Sequence, residues 1–317
     1  MEYFFIDDKR SIRKTYEDLI NDINGLKELN KFIYTKDVYM IFVKILASIV
    51  IGESIEILDM DLSESELMNM GVDVNNSSLN NQYINNIIIK DFEDLLKIIK
   101  QNEDIWEITM HTSGTTGRPK KIAHQLSTLA RTVKVSNKFR DNIWAFCYNP
   151  THIAGLQVFL QAFYNMNTIV YTFDYTQNEL YEALISNKVT NISATPTFYR
   201  TNLLNANIEM PLVRYVTLGG ERFDSDLANK LKKIFVNAKI RNIYASTEAG
   251  SIFSSDCDHF TIKKEYADQI KIADDGELLI NFKLLGKSDD LLINDGWYHT
   301  GDIVELLEDG KLKIISR

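Results

Sequence analysis

The chain has 317 residues, of which 45% are hydrophobic and 25% charged, and its formal net charge is -9. These proportions are those of globular proteins, and the length predicts a large domain that is built of subdomains. The negative charge argues against non-specific nucleic-acid binding, and the two cysteines, Cys147 and Cys257, argue against a disulfide framework or a zinc site.

The first part of the chain predicts two helices and a strand, and no membrane span. Its start, MEYFFIDDKR, lacks the layout of a signal peptide, which together with the few cysteines predicts a cytoplasmic protein. An apolar stripe over 13–29 predicts a helix. The apolar run 41–52 predicts a buried helix, too short to cross a bilayer, that leads into a strand over 55–59. The polar stretch 61–84 predicts mostly loop.

From residue 90 onwards, helical and strand patterns alternate. Helices are predicted over 90–101, 125–140, 154–166, 177–187 and 225–236, and strands over 105–110, 143–148, 168–173, 189–194, 213–218 and 239–244. This alternation indicates an α/β fold with a mainly parallel, helix-covered sheet over 1–251. Short strands with turns, over 277–282, 302–307 and 311–315, predict a small β-rich subdomain over 252–317.

The predicted strand over 105–110 runs into the loop HTSGTTGRPKKIAH at 111–124. Gly114 and Gly117 leave the backbone free to turn its N–H groups towards one anion. Hydroxyl and cationic side chains surround them: Thr112, Ser113, Thr115, Thr116, Arg118, Lys120 and Lys121. This combination predicts a phosphate-binding loop other than a Walker A, since Arg118 and Pro119 follow the second glycine. The alternative is an ordinary Gly/Thr-rich surface turn.

Four more loops follow predicted strands, where ligands collect in α/β sheets. They are PTHIAGL at 150–156, GGERF at 219–223, NIYASTEAG at 242–250 and WYHTGDIVEL at 297–306. Each loop alone is a weak signal. A lone histidine such as His152 is more often a hydrogen-bonded loop residue than a catalytic one. In isolation, Glu248 is more often a surface helix cap than a metal ligand, and Asp302 is usually a turn residue.

Taken in this order, the loops resemble the adenylate-forming superfamily of acyl-CoA synthetases, nonribosomal peptide adenylation domains and firefly luciferase. The matches are the phosphate loop at 112–120 with His124, a gate at Pro150, His152 and Gly155, a strand-to-helix turn at TPTFYRTNLL (195–204), GGE at 219–221, Asn242, Tyr244, Ala245, Thr247 and Glu248, GWYHTGD at 296–302, and a hinge at Ser316–Arg317. The resemblance implies the fold of this superfamily's large domain, from about residue 35 to the end.

The resemblance also implies an AMP-forming acid–thiol ligase. A carboxylate would attack the α-phosphorus of ATP, and the acyl group of the resulting acyl-adenylate would pass to a thiol, CoA or a carrier-protein arm. Positioning and charge neutralisation should supply most of the catalysis.

The site residues carried over from the family have separate roles. Thr112, Ser113, Gly114, Thr115, Thr116, Gly117 and Lys120 would hold the β- and γ-phosphates. Glu248 would bind Mg²⁺, Thr247 the α-phosphate, and Tyr244 the adenine. Asp302 and Arg317 would bind the ribose, with Gly219, Gly220, Glu221, Asn242 and Ala245 completing the nucleotide site. His152 would line the acyl tunnel.

The acyl pocket is expected between 152–157, 217–220 and 249–252, where small residues leave room for a medium acyl or aryl group. The loop 150–156 does not begin with an Asp that could bind an α-amino group, so an amino-acid substrate is disfavoured.

Five departures from the family pattern are visible, one of which is a region before the phosphate loop that is short for the family. Lys121, Ala245 and Ser316 replace glycines, and Lys121 is expected to add bulk and charge beside the phosphates. The family's C-terminal lid domain, with its catalytic lysine, does not follow Arg317, so a lid would act in cis or in trans and this chain should turn over slowly. Two alternatives stay open: an adenylation domain that loads a carrier protein, and a nucleotide-binding domain with little catalysis of its own.

Overall fold

The structure is a computed structural model that describes residues 3–72, 81–84, 88–112, 120–204 and 208–316. Within these ranges the helices are α1 (Tyr16–Gly25), α2 (Val38–Ile51), α3 (Glu64–Asn69), α4 (Phe92–Asn102), α5 (Leu126–Leu129), α6 (Ile153–Phe163), α7 (Gln177–Ser186), α8 (Pro196–Asn202) and α9 (Ser225–Ile234). No helix in these ranges is long and apolar enough to cross a membrane.

An eight-stranded sheet forms the centre of the fold. Its strands, in spatial order, are β14 (Gly250–Ser255), β13 (Lys239–Ser246), β12 (Tyr215–Gly219), β11 (Asn191–Ala194), β9 (Ile143–Phe146), β10 (Thr168–Tyr171), β1 (Tyr3–Asp7) and β2 (Ile12–Thr15). The six inner strands are parallel, and the two edge strands are antiparallel to their neighbours. The carboxyl ends of β12 and β13 therefore lie side by side, where ligand loops are expected.

Three smaller sheets complete the described part of the chain. One contains β4 (Phe32–Ile33), β5 (Ile55–Ile57), β7 (Glu107–Thr112) and β8 (Lys120–Gln125), and another pairs β3 (Glu28–Asn30) with β6 (Asn81–Tyr83). The third is antiparallel and contains β15 (His259–Phe260), β20 (Leu312–Ser316), β19 (Trp297–Leu306), β17 (Glu277–Asn281) and β16 (Ile270–Ile272), with β18 (Ile293–Asn294) beside β19.

This architecture confirms the predicted fold class, a helix-covered and mainly parallel α/β body followed by a β-rich C-terminal part. The division at residues 251 and 252 stays a prediction. It falls inside β14, which is the edge strand of the central sheet, whereas the antiparallel sheet begins at β15. The antiparallel sheet has its own apolar core, which includes Phe260, Leu278 and Leu312.

Helix α2 confirms the prediction of a buried helix in the apolar run 41–52. Phe42 stacks on Phe159 of α6, with ring centroids 4.3 Å apart. On another side Ser48 accepts a hydrogen bond from the indole of Trp106, at 2.9 Å. The helix ends where Gly52 adopts the left-handed conformation, φ 73°, that favours glycine. Because α2 contacts neighbours on several sides, it is apolar nearly all round.

Two predictions at the N-terminal end need correction. The segment 13–29 is not one helix, because Thr15 caps a helix that begins at Tyr16, and Thr15 and Asp18 form a reciprocal capping box. The stretch 61–84, predicted as mostly loop, contains within its described residues the strand β6 and the short helix α3, which Ser63 and Glu66 cap in the same way. Strands β1 and β2 were not predicted, although β1 is almost fully buried.

The helix predicted over 125–140 is also wrong. Helix α5 spans only Leu126–Leu129, and a 3₁₀ turn follows at Asn137–Phe139. The helix ends at Leu129, and two residues later the guanidinium of Arg131 donates hydrogen bonds to the carbonyl oxygens of Ala249 and Leu284, at 2.7 and 3.1 Å. These distant tertiary contacts outweigh the local helical pattern.

Candidate active site

A pocket of about 450 Å³, here called the larger pocket, lies between the carboxyl ends of β12 and β13 and the antiparallel sheet. Its lining comes from three of the predicted ligand loops and from the last strand, β20. The lining residues are Gly220, Glu221, Arg222, Phe223, Asn242, Ile243, Tyr244, Ala245, Ser246, Asp258, Phe260, Asp302, Lys313, Ile314, Ile315 and Ser316. The fold thus brings together motifs that are up to about eighty residues apart in sequence.

Tyr244 and Asp302 meet inside the larger pocket. The phenolic O–H of Tyr244 donates a hydrogen bond to Asp302 Oδ2 at 2.6 Å. Phe253 and Phe260 pack against the Tyr244 ring, with centroids 5.6 and 6.4 Å away. The arrangement places an aromatic face and a half-buried carboxylate next to each other, which suits a ligand with a flat ring and hydroxyl groups.

Glu277 braces the backbone that carries Asp302. Its Oε1 accepts a hydrogen bond from the Gly301 N–H at 2.7 Å, and its Oε2 lies 2.7 Å from His299 Nδ1. The Thr300 hydroxyl adds a hydrogen bond to the Leu278 carbonyl and accepts one from the Asp302 N–H. Glu277 was not predicted as a site residue, because only the pairing of β17 with β19 shows its role.

A second cavity of about 210 Å³, here called the smaller pocket, adjoins the larger one. Its walls come from α6, from β9, β11 and β12, and from the chain around residue 132. The lining residues are Thr132, Val133, Trp144, Tyr148, Ile153, Ala154, Gln157, Val158, Gln161, Ser193, Thr217, Gly219, Gly220, Ile243, Ala245 and Ser251. The three segments expected to form an acyl pocket all contribute to this lining.

The two pockets share Gly220, Ile243 and Ala245 in their walls. Gly220 has φ +80°, a conformation that favours glycine, and it directly follows β12. Ala245, which replaces a family glycine, lies within β13 and is not among the described non-glycine residues with positive φ. The substitution therefore carries no backbone strain here.

Glu221 and Asn242, two predicted nucleotide-site residues, line the larger pocket and hydrogen-bond to segments outside its lining. Glu221 accepts hydrogen bonds from the N–H and hydroxyl of Thr197, at 2.9 and 2.7 Å, and so caps the start of α8. Asn242 is buried and donates to the carbonyl oxygen of Cys257 at 2.9 Å. Both side chains hold the wall to neighbouring segments.

His124 supports the segment that carries Thr247 and Glu248. The imidazole is fully buried, and its Nε2 lies 2.6 Å from the Thr247 carbonyl oxygen. Burial lowers the pKa of His124 below its ordinary value, although this hydrogen bond opposes the shift. Gly286 packs against the ring so closely that an added Cβ would lie 2.7 Å from it. The Gly286 N–H also donates to the Glu248 carbonyl oxygen at 2.7 Å.

Glu248 is a candidate for holding a divalent cation. Its side chain is buried, with 8% relative exposure, and no hydrogen bond to its carboxylate is found within the described residues. A buried carboxylate of this kind suits a hard cation such as Mg²⁺. In the described ranges, no group of three His, Cys, Asp or Glu side chains could hold a metal ion.

His152 precedes α6 beside the smaller pocket. Its side chain is 58% exposed, and its Nε2 lies 3.2 Å from Asp59 Oδ2, which also accepts a hydrogen bond from Asn149. Packing explains why position 155 is a glycine, because a Cβ there would collide with the Asn149 carbonyl oxygen. His152 itself is absent from the lining of the smaller pocket, whereas its neighbour Ile153 is part of it.

The ends of the predicted phosphate loop are described, and its centre is not. Thr112 closes β7 and pairs in antiparallel register with Lys120, which opens β8. The predicted residues Ser113, Gly114, Thr115, Thr116 and Gly117 lie outside the described residues, as does Arg317.

Lys121, the departure next to this loop, has a carboxylate partner in the structure. Its amine donates a hydrogen bond to Glu56 Oε1 at 2.9 Å, and His111 Nε2 lies 2.7 Å from the same oxygen. Burial alone would favour an uncharged Glu56, but these two hydrogen bonds outweigh it and hold the pKa of Glu56 below its ordinary value. The positive charge of Lys121 is therefore paired with the carboxylate of Glu56, which lies in β5.

The motifs and pockets described above agree with a comparison to known protein families. Residues 51–278, well over half of the 317-residue chain, match the family model described as AMP-binding enzyme. The chain belongs to the AMP-binding enzyme family. This confirms the resemblance to adenylate-forming proteins that the five loops indicate.

One curated relative of this family member is a 2-succinylbenzoate--CoA ligase from Listeria monocytogenes, 25% identical over 243 residues. The match covers 68% of this chain and 50% of the relative. The chain thus spans about half the length of the curated relatives that it matches.

Two solved structures share the fold of this AMP-binding family member. The inhibitor-bound N-terminal domain of FACL13 from Mycobacterium tuberculosis is 17% identical, with a TM-score of 0.71, and the match covers 100% of this chain and 96% of that one. The o-succinylbenzoate CoA synthetase (MenE) of Bacillus subtilis, in complex with the acyl-adenylate intermediate OSB-AMP, is 18% identical, with a TM-score of 0.71 and the same coverage.

Proposed function

We propose that the chain activates a carboxylic acid with ATP, forming an acyl-adenylate and pyrophosphate, and that the acyl group then passes to a thiol. The observation that carries this proposal is the meeting of two unlike pockets at Gly220, Ile243 and Ala245. A polar pocket and a mainly apolar pocket that share one wall suit the two halves of an acyl-adenylate. Membership of the AMP-binding family supports the assignment.

The larger pocket holds the nucleoside in this proposal. Tyr244 stacks on the adenine, and Asp302 accepts hydrogen bonds from the ribose hydroxyls, helped by Arg317. The support is the position of the first two side chains in one pocket, with the Tyr244 O–H directed to Asp302. Gly219, Gly220, Glu221, Asn242 and Ala245 shape the walls around the nucleotide.

The phosphates extend from the shared wall towards the loop between β7 and β8. Thr112 and Lys120 contact the β- and γ-phosphates together with Ser113, Gly114, Thr115, Thr116 and Gly117, and Thr247 hydrogen-bonds the α-phosphate. Glu248 holds Mg²⁺, which when bound neutralises phosphate charge as the carboxylate attacks the α-phosphorus. His124 and Gly286 keep Thr247 and Glu248 in place through their backbone hydrogen bonds.

The smaller pocket receives the acyl group, and His152 lies where the acid and the thiol enter. CoA is the proposed thiol, because a curated relative is named as a CoA ligase. The acid in that relative's name, 2-succinylbenzoate, is the reference against which other carboxylates are to be compared. A carrier-protein arm is the alternative acceptor. We also propose that a small lid domain, in cis or in trans, closes the site during adenylation and excludes water.

Calorimetry with AMP and with a non-hydrolysable acyl-sulfamoyl adenosine, in the presence of Mg²⁺, tests the nucleotide assignment. We expect both to bind, and the acyl-bearing ligand to bind more tightly because it fills both pockets. Absence of binding for both ligands at millimolar concentration would refute the assignment.

Pyrophosphate release with a panel of carboxylates, 2-succinylbenzoate among them, tests the reaction. Without a lid we expect turnover well below the ordinary enzyme range, which starts at about 1 per second. Adding a separately produced lid domain should raise the rate. Comparing CoA with a carrier protein as acceptor then separates the two kinds of ligase, and binding without any turnover under all conditions would favour a nucleotide-binding role.

A further inference from the structure

The smaller pocket contains no charged side chain in its described lining. None of its sixteen described residues is Asp, Glu, Lys, Arg or His. A charge buried in such a pocket without a partner is strongly disfavoured, since it loses its hydration and gains no counter-ion. The described lining therefore offers no partner for a second carboxylate and also none for an ammonium group on the substrate.

Most polar atoms of the smaller pocket already have hydrogen-bond partners within the protein. Gln161 exchanges two hydrogen bonds with the backbone of Lys134, at 2.9 and 3.0 Å. The Thr217 hydroxyl donates to Ser193 Oγ at 2.5 Å. The indole N–H of Trp144 donates to Asn167 Oδ1 at 3.1 Å. Because Asn167 is not part of the lining, the indole contributes apolar ring surface to the pocket.

Gln157 differs from these groups. Its Oε1 accepts a hydrogen bond from the Ser251 hydroxyl at 2.8 Å, which fixes the orientation of the amide. No acceptor for its Nε2 is found in the described part of the chain, and the Cβ of a residue other than glycine at Gly250 would lie 3.0 Å from this nitrogen. Because Gln157 lines the pocket, its amide N–H is a donor for a bound ligand.

We infer that the smaller pocket selects an acid with one carboxylate and an uncharged, ring-sized or short branched group that carries a hydrogen-bond acceptor for Gln157. The volume of about 210 Å³ lies below the range of about 300–1,000 Å³ for pockets that enclose drug-sized ligands, which limits the acyl group to about one ring. The inference rests on the proposed function. It excludes dicarboxylates such as 2-succinylbenzoate and also α-amino acids as preferred substrates.

Binding of acyl-sulfamoyl adenosines tests the inference without requiring turnover. The key pair carries 4-methoxycarbonylbenzoyl and 4-carboxybenzoyl groups, which are similar in size but differ in charge. We expect the neutral ester to bind at least about tenfold more tightly, because the carboxylate has no counter-ion in the pocket. A biphenyl-4-carbonyl ligand should bind more weakly than the benzoyl parent, because it exceeds one ring.

Two variants test the role of Gln157. Gln157→Leu should reduce the affinity for the ester about two- to tenfold, and that for the benzoyl parent much less, because a single neutral hydrogen bond is lost. Gln157→Arg should invert the preference in favour of the carboxylate, since it supplies the missing cation. AMP binding by each variant reports whether the larger pocket is still folded.

The outcomes separate this inference from the proposed function. Equal affinity for the ester and the carboxylate, with normal AMP binding, would overturn the inference and leave the proposed function intact. Aryl ligands that bind no more tightly than AMP would also overturn it. Loss of binding for AMP and all acyl ligands alike in the wild-type chain would instead refute the proposed function.

Discussion

The larger and the smaller pocket share three wall residues but have opposite chemistry. The larger pocket is lined by five charged side chains, Glu221, Arg222, Asp258, Asp302 and Lys313, whereas the described lining of the smaller pocket has none. The larger pocket lies between two sheets, and the smaller one lies against the central sheet and α6. The three shared residues, Gly220, Ile243 and Ala245, therefore lie between a pocket with charged lining residues and a pocket whose described lining is uncharged.

This contrast suggests different roles: the larger pocket supplies affinity for the nucleoside, and the smaller pocket supplies selectivity among acids. A nucleoside has the same hydroxyl groups and ring whichever acid is activated, so fixed carboxylates and an aromatic ring can bind it in every reaction. An acyl group varies, and an uncharged pocket distinguishes acids by shape, by charge and by one amide donor. Substitutions in the larger pocket should therefore weaken all adenylates alike, whereas substitutions in the smaller pocket should change the preference among them.

The largest expected effect is that of Asp302→Ala. The change removes the acceptor proposed for both ribose hydroxyls. Hydrogen bonds to a charged group contribute roughly 1.5–3 kcal/mol, so affinity for AMP and for every acyl-sulfamoyl adenosine should fall about ten- to a hundredfold. Calorimetry with AMP and two acyl ligands measures whether the loss is uniform.

Asp309→Ala is the matched control for this prediction. Asp309 lies in the exposed turn between β19 and β20 and pairs with Lys311, outside both pockets. Its removal should leave affinity unchanged. If Asp302→Ala keeps full affinity with an intact fold by circular dichroism, Asp302 has no role in binding the ribose and the contrast between the pockets loses its main support.

Gly220→Ala should have an intermediate effect, on stability. Gly220 has φ +80°, and a left-handed conformation costs a residue with a Cβ about 1–2 kcal/mol. The free energy of unfolding, measured with urea, should fall by about that amount. The nearest atom to the added methyl group, Thr195 Cγ2, would be 3.8 Å away, so strain rather than collision is the cause.

Gly219→Ala provides the comparison at the neighbouring position. Its φ is not positive, and the added methyl would contact Ile243 at 3.5 Å and the Tyr148 hydroxyl at 3.7 Å, which are ordinary distances. We expect unchanged stability but weaker binding of bulky acyl groups, because Gly219 lines the smaller pocket. Equal stability of the two variants would contradict the backbone argument.

The smallest expected effect is a pH dependence from His124. Its pKa is lowered in the folded chain, so below about 6.5, the ordinary value, the unfolded chain binds a proton that the folded chain does not. Stability should therefore fall as the pH drops from 6.5 through the folded-state pKa. The charges of Arg131 and Glu248 act on the imidazole in opposite directions.

Thermal unfolding between pH 7.5 and 5 measures this effect. In His124→Asn the decrease in melting temperature across this range should be smaller than in the wild-type chain, even though the variant is less stable at pH 7.5. An identical pH profile in both proteins would show that other groups cause the acid sensitivity. Because the His124 imidazole contacts the Thr247 carbonyl, the wild-type loss should accompany weaker binding of ATP with Mg²⁺, which Thr247 and Glu248 are proposed to hold.

The sequence by itself determined the family, the fold class and most of the buried elements. Residue patterns with a local physical cause were sufficient, such as the apolar run that forms α2 and the parallel strands β12 and β13. The motif residues Gly220, Asn242, Tyr244, Ala245 and Asp302 were predicted to surround one nucleotide, and the structure brings them into the lining of one pocket.

Only the tertiary structure decided features that depend on contacts between distant residues. The helix stops short of Arg131, which reaches the carbonyl groups of Ala249 and Leu284, and Glu277 becomes a brace only when β17 pairs with β19. Likewise, the described lining of the smaller pocket around Gln157 is uncharged because the fold brings uncharged parts of several distant segments together there. Local patterns carry no information about such partners, because the contacts that fix them are made across the folded chain.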